Sequence, residues 1–241
     1  MDTQTRHALK QDSFVQATAT SLSWLEEHRA TVIRTSIVVV VLVGLFFAGL
    51  VLYNHRSERA QLLFGQAMDI YTTPLAQPGQ PAEPGVKTYA SAAERAKAAY
   101  PLFEQVANQY GWFAVGANAR YLAGMAALDM GQSSTGEEEL KKAAASHDAN
   151  VASLARLALA GIDHQTGRDA EAIQLYQQLI AKPTTVVPAS LAKLQLAALY
   201  ESTRPEEAKK LYAEIKDQDK GTAAGQIAAQ KLQGAVAVPQ Q

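Results

Sequence analysis

Two stretches of this chain, TGRDAEAIQLYQQLI (166–180) and STRPEEAKKLYAEIK (202–216), are near copies set 36 residues apart. Aligned, they match at Arg168/Arg204, Glu171/Glu207, Ala172/Ala208, Leu175/Leu211 and Tyr176/Tyr212, with Leu179 opposite Ile215. Ala172, Tyr176 and Leu179 are spaced four and then three residues apart, which places them on one face of a helix. The small alanine admits a preceding helix at close range, while the tyrosine and leucine reach into a neighbouring unit. A lone helix pair cannot bury such a face, so similar units must stack in series. No other feature constrains the fold of the chain as strongly.

The remainder between Ser91 and Val236 reads as further helix pairs. Ser91 and Glu94 have the spacing of a capping box ahead of AERAKAAYPLFEQVANQY, which Gly111 ends. A second pair reads VGANARYLAGMAALDMG then TGEEELKKAAASH, and a third reads NVASLARLALAGIDHQTG then RDAEAIQLYQQLIAK. A fourth reads ASLAKLQLAALYES then PEEAKKLYAEIK, and TAAGQIAAQKLQGAV closes the array. Gly131 and Gly167 fall at turns inside pairs, again 36 apart. A helix–turn–helix unit of this length, with a small residue, an aromatic and an apolar residue in its second helix, resembles the tetratricopeptide repeat. Ala99, Phe103, Val106 and Tyr110 carry the same skeleton, with Gly111 where that repeat usually has proline. The second unit is degenerate, with Gly136, Leu140 and Ala143 in those places and Gly124 and Gly131 fitting its first helix and turn.

Upstream, TSIVVVVLVGLFFAGLVLY (35–53) carries no charged or strongly polar residue between Ile37 and Leu52. Its 19 residues span roughly 28 Å as a helix, close to the hydrocarbon thickness of a bilayer. Of the 16 residues 37–52, 13 are Val, Ile, Leu or Phe, which favours insertion by roughly 5 kcal/mol. A buried soluble helix usually keeps a polar stripe, and this one is apolar all round. A long n-region and the lack of a small-x-small site argue for an uncleaved anchor. Arg29 and Arg34 on one side balance Arg56 and Arg59 on the other, so flanking charge leaves the orientation open. Before the span, Phe14, Thr18, Leu22 and Leu25 share a helical face with Trp24 near its edge, and Asp12 or Ser13 can cap its start. After it, helix is expected to about Tyr71, followed by a proline-rich spacer over 73–85.

Composition narrows the function classes. Lys and Arg total 22 against 23 Asp and Glu, which leaves no basic excess to neutralise a nucleic-acid backbone. Cysteine is absent, so disulfides, thiolate metal sites, thiol nucleophiles and lipoprotein acylation are excluded. The histidines, His7, His28, His55, His147 and His164, show no metal-ligand spacing. Glu137, Glu138 and Glu139 read as a helix start favoured by the helix dipole. GQSSTGE lacks the lysine of a phosphate-cradling loop and reads as a turn. No enzyme activity, cofactor or metal is expected.

The expected fold is all-α. An N-terminal amphipathic helix and a single transmembrane helix precede a tetratricopeptide-repeat-like α-solenoid, in segments 1–34, 35–53, 54–87 and 88–241. With LKQDSFVQATATSLSWLEEHRATVIR before the span and NHRSERAQLLFGQAM after it, this arrangement is similar to the YfgM-like family of ancillary SecYEG translocon subunits. The resemblance implies a bacterial inner-membrane protein with its repeats in the periplasm, contacting the SecYEG translocon and periplasmic chaperones. A short N-terminal segment on the cytoplasmic side agrees with that orientation. First helices of stacked pairs line a concave side. By register, Tyr121, Met125 and Asp129 face it from the second unit, Leu157, Gly161 and His164 from the third, and Lys193, Ala197 and Tyr200 from the fourth. Such a lining suits an extended peptide or a partner's helix. The expected function is therefore a non-enzymatic, membrane-anchored adaptor near the translocon. The alternative is an inner-membrane scaffold for a cell-division or envelope-synthesis complex. The sequence leaves the oligomeric state open.

Overall fold

The structure, a computed structural model, describes residues 28–76 and 87–236. The amphipathic segment expected before the span and most of the proline-rich spacer lie outside the described residues. What is described is all-helical, apart from an isolated bridge between Leu75 and Tyr89. The helices in chain order are α1 (Arg29–Tyr71), α2 (Ala92–Gln109), α3 (Ala114–Asp129), α4 (Ser133–Ala144), α5 (Ala149–Gln165), α6 (Asp169–Ala181), α7 (Ala189–Thr203), α8 (Pro205–Gln218) and α9 (Ala223–Val236).

The chain divides into two units, with the boundary between Arg56 and Ser57. In the first, α1 exposes an apolar surface on every side, from Ile37, Val40 and Phe46 to Leu52. This helix is long and apolar enough to cross a membrane. Thr35 stays compatible with it by donating its hydroxyl to the Thr31 carbonyl at 2.9 Å, which satisfies a polar group inside the helix.

The second unit begins at Ser57 and contains the last turns of α1. There Ala67 is buried in one cluster with Ala96, Ala99, Phe103, Val106 and Ala119. Phe103 sits 5.9 Å from the Phe64 ring and 5.6 Å from the Tyr71 ring. The extension expected after the span is thus the first helix of the first pair, and α2 is the second.

Local signals set the helix ends. The Ser91 hydroxyl accepts the Glu94 N–H at 3.1 Å, and the Asp148 carboxylate accepts the N–H groups of Asn150 and Val151. Pro205 opens α8 at a position where its missing N–H costs nothing. Gly131 and Gly167 take φ of 75° and 76°, a left-handed conformation that stops α3 and α5. Pro101 lies inside α2 on its exposed side, and the helix continues through it.

From α2 onward each helix packs on its neighbours in the chain, and α3 with α5 and α7 with α9 also touch. The second helices bury the faces read from the sequence. These are Ala99, Phe103 and Val106 in α2, Gly136, Leu140 and Ala143 in α4, Ala172, Tyr176 and Leu179 in α6, and Ala208, Tyr212 and Ile215 in α8. Each large side chain buried this way contributes about 2–3 kcal/mol. The degenerate pair has its own geometry. A Cβ on Gly124 would lie 2.8 Å from Leu140 Cγ, and one on Gly136 would lie 2.7 Å from Leu128 Cγ. Helices α3 and α4 approach too closely for anything but glycine at either place.

The first helices follow a different count. Buried Ala119, Ala123 and Ala127 of α3 correspond to Ala155, Leu159 and Asp163 of α5 at an interval of 36, and these to Ala192, Leu196 and Tyr200 of α7 at 37. The turn explains the extra residue. Thr166, Gly167 and Arg168 join α5 to α6, whereas Arg204 alone joins α7 to α8. Where Gly167 breaks α5, Thr203 extends α7, and the helix enters the core one residue out of phase.

Candidate partner-binding surface

That phase difference corrects the expected groove in its fourth unit. Ala197 and Tyr200 are 0 % and 4 % exposed in the cluster that holds Ala208, Tyr212 and Ile215, so they pack the core and line no surface. The Lys193 ammonium donates to Glu214 at 3.1 Å and Gln218 at 3.2 Å, across its own pair onto α8. Counting 37 instead of 36 from Leu157 and Gly161 gives Leu194 and Ala198, the first half-buried and the second exposed. Helix periodicity alone could not reveal this. The signal was the sequence of the turn, where STRP replaces TGRD.

The other expected residues divide by chemistry. Tyr121 and Met125 are half-buried and pack against the cluster of Leu140, Ala143, Val151, Ala155 and Leu159. Burial pushes the Tyr121 phenol above its usual range, so it stays neutral. Leu157 packs half-buried toward the cluster around Tyr176 and Leu196. Gly161 has no atom within 4 Å of where a Cβ would stand, unlike Gly124 and Gly136, so the fold does not require glycine there. Asp129 accepts the Tyr71 hydroxyl at 2.7 Å, and His164 Nδ1 lies 2.7 Å from Asp169 Oδ1. The polar members are thus engaged within the unit. Met125, Leu157, Gly161, Leu194 and Ala198 remain as the apolar, partly exposed positions at this register of three successive first helices.

Cations clamp the joints between pairs. Arg120 donates to Glu139 at 2.8 Å and to the Ala107 carbonyl at 3.0 Å in the last turn of α2. Arg156, 36 residues on, donates to the Ala144 carbonyl that ends α4 at 2.8 Å. Both supply a hydrogen bond and a positive charge to the C-terminus of the preceding pair's second helix, where unpaired carbonyls gather. The three glutamates do not sit at a helix start, because α4 begins at Ser133 and its first turn holds no acid. Instead Glu137 pairs with Lys141 and Arg168, Glu138 with Lys142, and Glu139 with Arg120 and Lys142. Hydrogen bonding from Lys141 is the main reason the Glu137 carboxyl is held below its ordinary value. Among the described residues no group of three or more His, Asp or Glu can hold a metal ion.

A further feature lies at the turn between α2 and α3. Trp112 is fully exposed there, flanked by Tyr110 and Phe113, whose ring centroids are 6.2 Å apart. The turn is tight. Phe113 N–H donates to the Tyr110 carbonyl and Gly116 N–H to the Phe113 carbonyl, both at 2.9 Å. A Cβ on Gly116 would stand 2.1 Å from the Tyr110 carbonyl oxygen. Beside it opens a cavity of about 390 Å³, lined by Phe113, Arg120, Lys142 and His147 among others. Trp112 belongs to no periodic face, so a reading based on helical periodicity passes over it. Compared with known proteins, the chain matches no family model, no curated protein and no solved structure.

Proposed function

We propose that this protein is a non-enzymatic adaptor, anchored in a bacterial inner membrane by α1, whose tetratricopeptide-like helix pairs present a binding strip to other proteins near the SecYEG translocon. The observation that carries the reading is the set of apolar, partly exposed positions on the first helices. Met125, Leu157, Leu194 and Ala198 come from first helices of successive pairs, joined in one unit to the end of a helix able to span a membrane. An apolar surface built across repeating units fits an extended segment or a helix of a partner. The four buried second-helix faces support a stacked α-solenoid. The likeness of this arrangement to the YfgM-like family supports a cytoplasmic N-terminus with the pairs in the periplasm.

A photo-crosslinking residue at Ala198, in native membranes, tests the partner. Recovery of translocon subunits is the expected result. Recovery of cell-division or envelope-synthesis proteins instead would make the protein a scaffold for such a complex. Alkaline phosphatase fused after Gln241 tests the orientation, because that reporter is active only where its disulfides can form. Inactivity of the fusion, with activity of a cytoplasmic reporter at the same place, removes the periplasmic geometry.

A further inference from the structure

We propose that the turn carrying Trp112 is a lipid-docking element that rests in the headgroup layer of the membrane. The inference depends on the anchoring of α1 proposed above and adds a second, reversible contact with the same bilayer.

Two distances within the second unit place the turn. The Tyr71 hydroxyl is 2.7 Å from Asp129, so the last turn of α1 lies beside the last turn of α3. Fourteen residues back along each helix are Ser57 and Val115. Because Phe103 of α2 touches both Phe64 and Tyr71, while Arg95 near its start stacks 5.4 Å over Tyr71, α2 runs back toward the Ser57 end. Trp112, between the end of α2 and the start of α3, therefore stands at the end of the unit where the chain enters it. Leu52, the last residue of the apolar core of the span, is five residues before Ser57, a reach of at most about 18 Å. Along the chain, this end is the part of the unit nearest the span.

The chemistry of the turn fits that location. Indole is the side chain most at home at a membrane interface, with an apolar body and one N–H for the headgroups, and tyrosine shares the preference. Trp112 is fully exposed, Tyr110 and Phe113 flank it, and the hydrogen-bonded turn over Gly116 holds it outward. Arg56 and Arg59, exposed on α1, supply positive charge toward anionic lipid. A protein partner covering Trp112 is the competing occupant, and shielding in pure lipid separates the two.

Trp24 and Trp112 are the two tryptophans of the chain, so Trp24→Phe isolates the signal. The full chain would be reconstituted into vesicles of phosphatidylcholine with phosphatidylglycerol, some brominated on the acyl carbons nearest the headgroup. Docking predicts roughly threefold less quenching of Trp112 by aqueous iodide than for free indole, together with quenching by the brominated lipid. A control carrying Trp24→Phe, Trp112→Phe and Gln132→Trp puts the indole at the opposite end of α3 and should remain open to iodide. Flotation with the vesicles after alkaline carbonate reports the anchor separately, and protein left behind would mean that the anchoring itself is wrong. Protein that floats with Trp112 as accessible as the control overturns docking. So does shielding seen in native membranes but not in pure lipid, since a protein would then be the cover.

Discussion

The third and fourth helix pairs carry nearly the same second helix and use it differently. In α6 and α8 the alanine, tyrosine and apolar positions are buried at the same interval of 36. In α5 and α7 the buried residues drift by one, because Gly167 stops α5 while α7 runs on through Thr203. A helix face defined by large apolar residues holds its own register. A helix built largely of alanine and leucine has several usable faces, and the length of its turn selects among them.

The severest test of the shared half of this comparison is truncation of its two tyrosines. Tyr176→Ala and Tyr212→Ala should each lower stability by about 3–5 kcal/mol, measured by thermal unfolding of the detergent-solubilised chain. A small effect at one of them would mean the two second helices are not equivalent.

The unequal half is tested at the turns. Gly167→Ala forces a Cβ into a left-handed position and should cost about 1–2 kcal/mol. Thr203→Gly loosens the last residue of α7 and should cost below about 1 kcal/mol. Equal losses in the two unfolding experiments would leave the phase difference without its cause.

The clamps sharpen the contrast further. Arg156 donates to a helix-ending carbonyl of the preceding pair, whereas Lys193 bonds within its own. Arg156→Met should therefore cost about 1 kcal/mol. Lys193→Met, whose partner Glu214 is half exposed, should stay within about 0.5 kcal/mol. Double mutants with Glu214→Gln would show coupling for Lys193 and none for Arg156.

The smallest expected effect is one of pH. The Glu201 carboxyl is held below its ordinary value, first by the Tyr212 hydroxyl and then by Lys231. A lowered carboxylate stabilises the fold above the unfolded value, about 4.3 for glutamate, and that contribution disappears as pH falls through the lowered folded value. Glu201 is 44 % exposed, so solvent screening keeps the effect below about 0.5 kcal/mol. Glu201→Gln should flatten the acid limb of the stability curve slightly. An unchanged limb would show that the pairing contributes nothing.

The sequence by itself determined what depends on neighbours along the chain. The apolar run of α1, the cap at Ser91, the turns at Gly131 and Gly167 and the four second-helix faces are all local patterns of residue type. Helical geometry converts such patterns directly into structure. Tertiary packing decided the rest. It made the end of α1 the first helix of a pair, because Ala67 and Phe64 meet Phe103 across a spacer that no periodicity crosses. It turned Ala197 and Tyr200 inward and left Ala198 exposed, because a shortened turn rotates a helix whose composition permits more than one face. It also drew the glutamates of α4 to arginines 19 and 31 residues away, pairings that depend on how helices stack and that no spacing within one helix specifies.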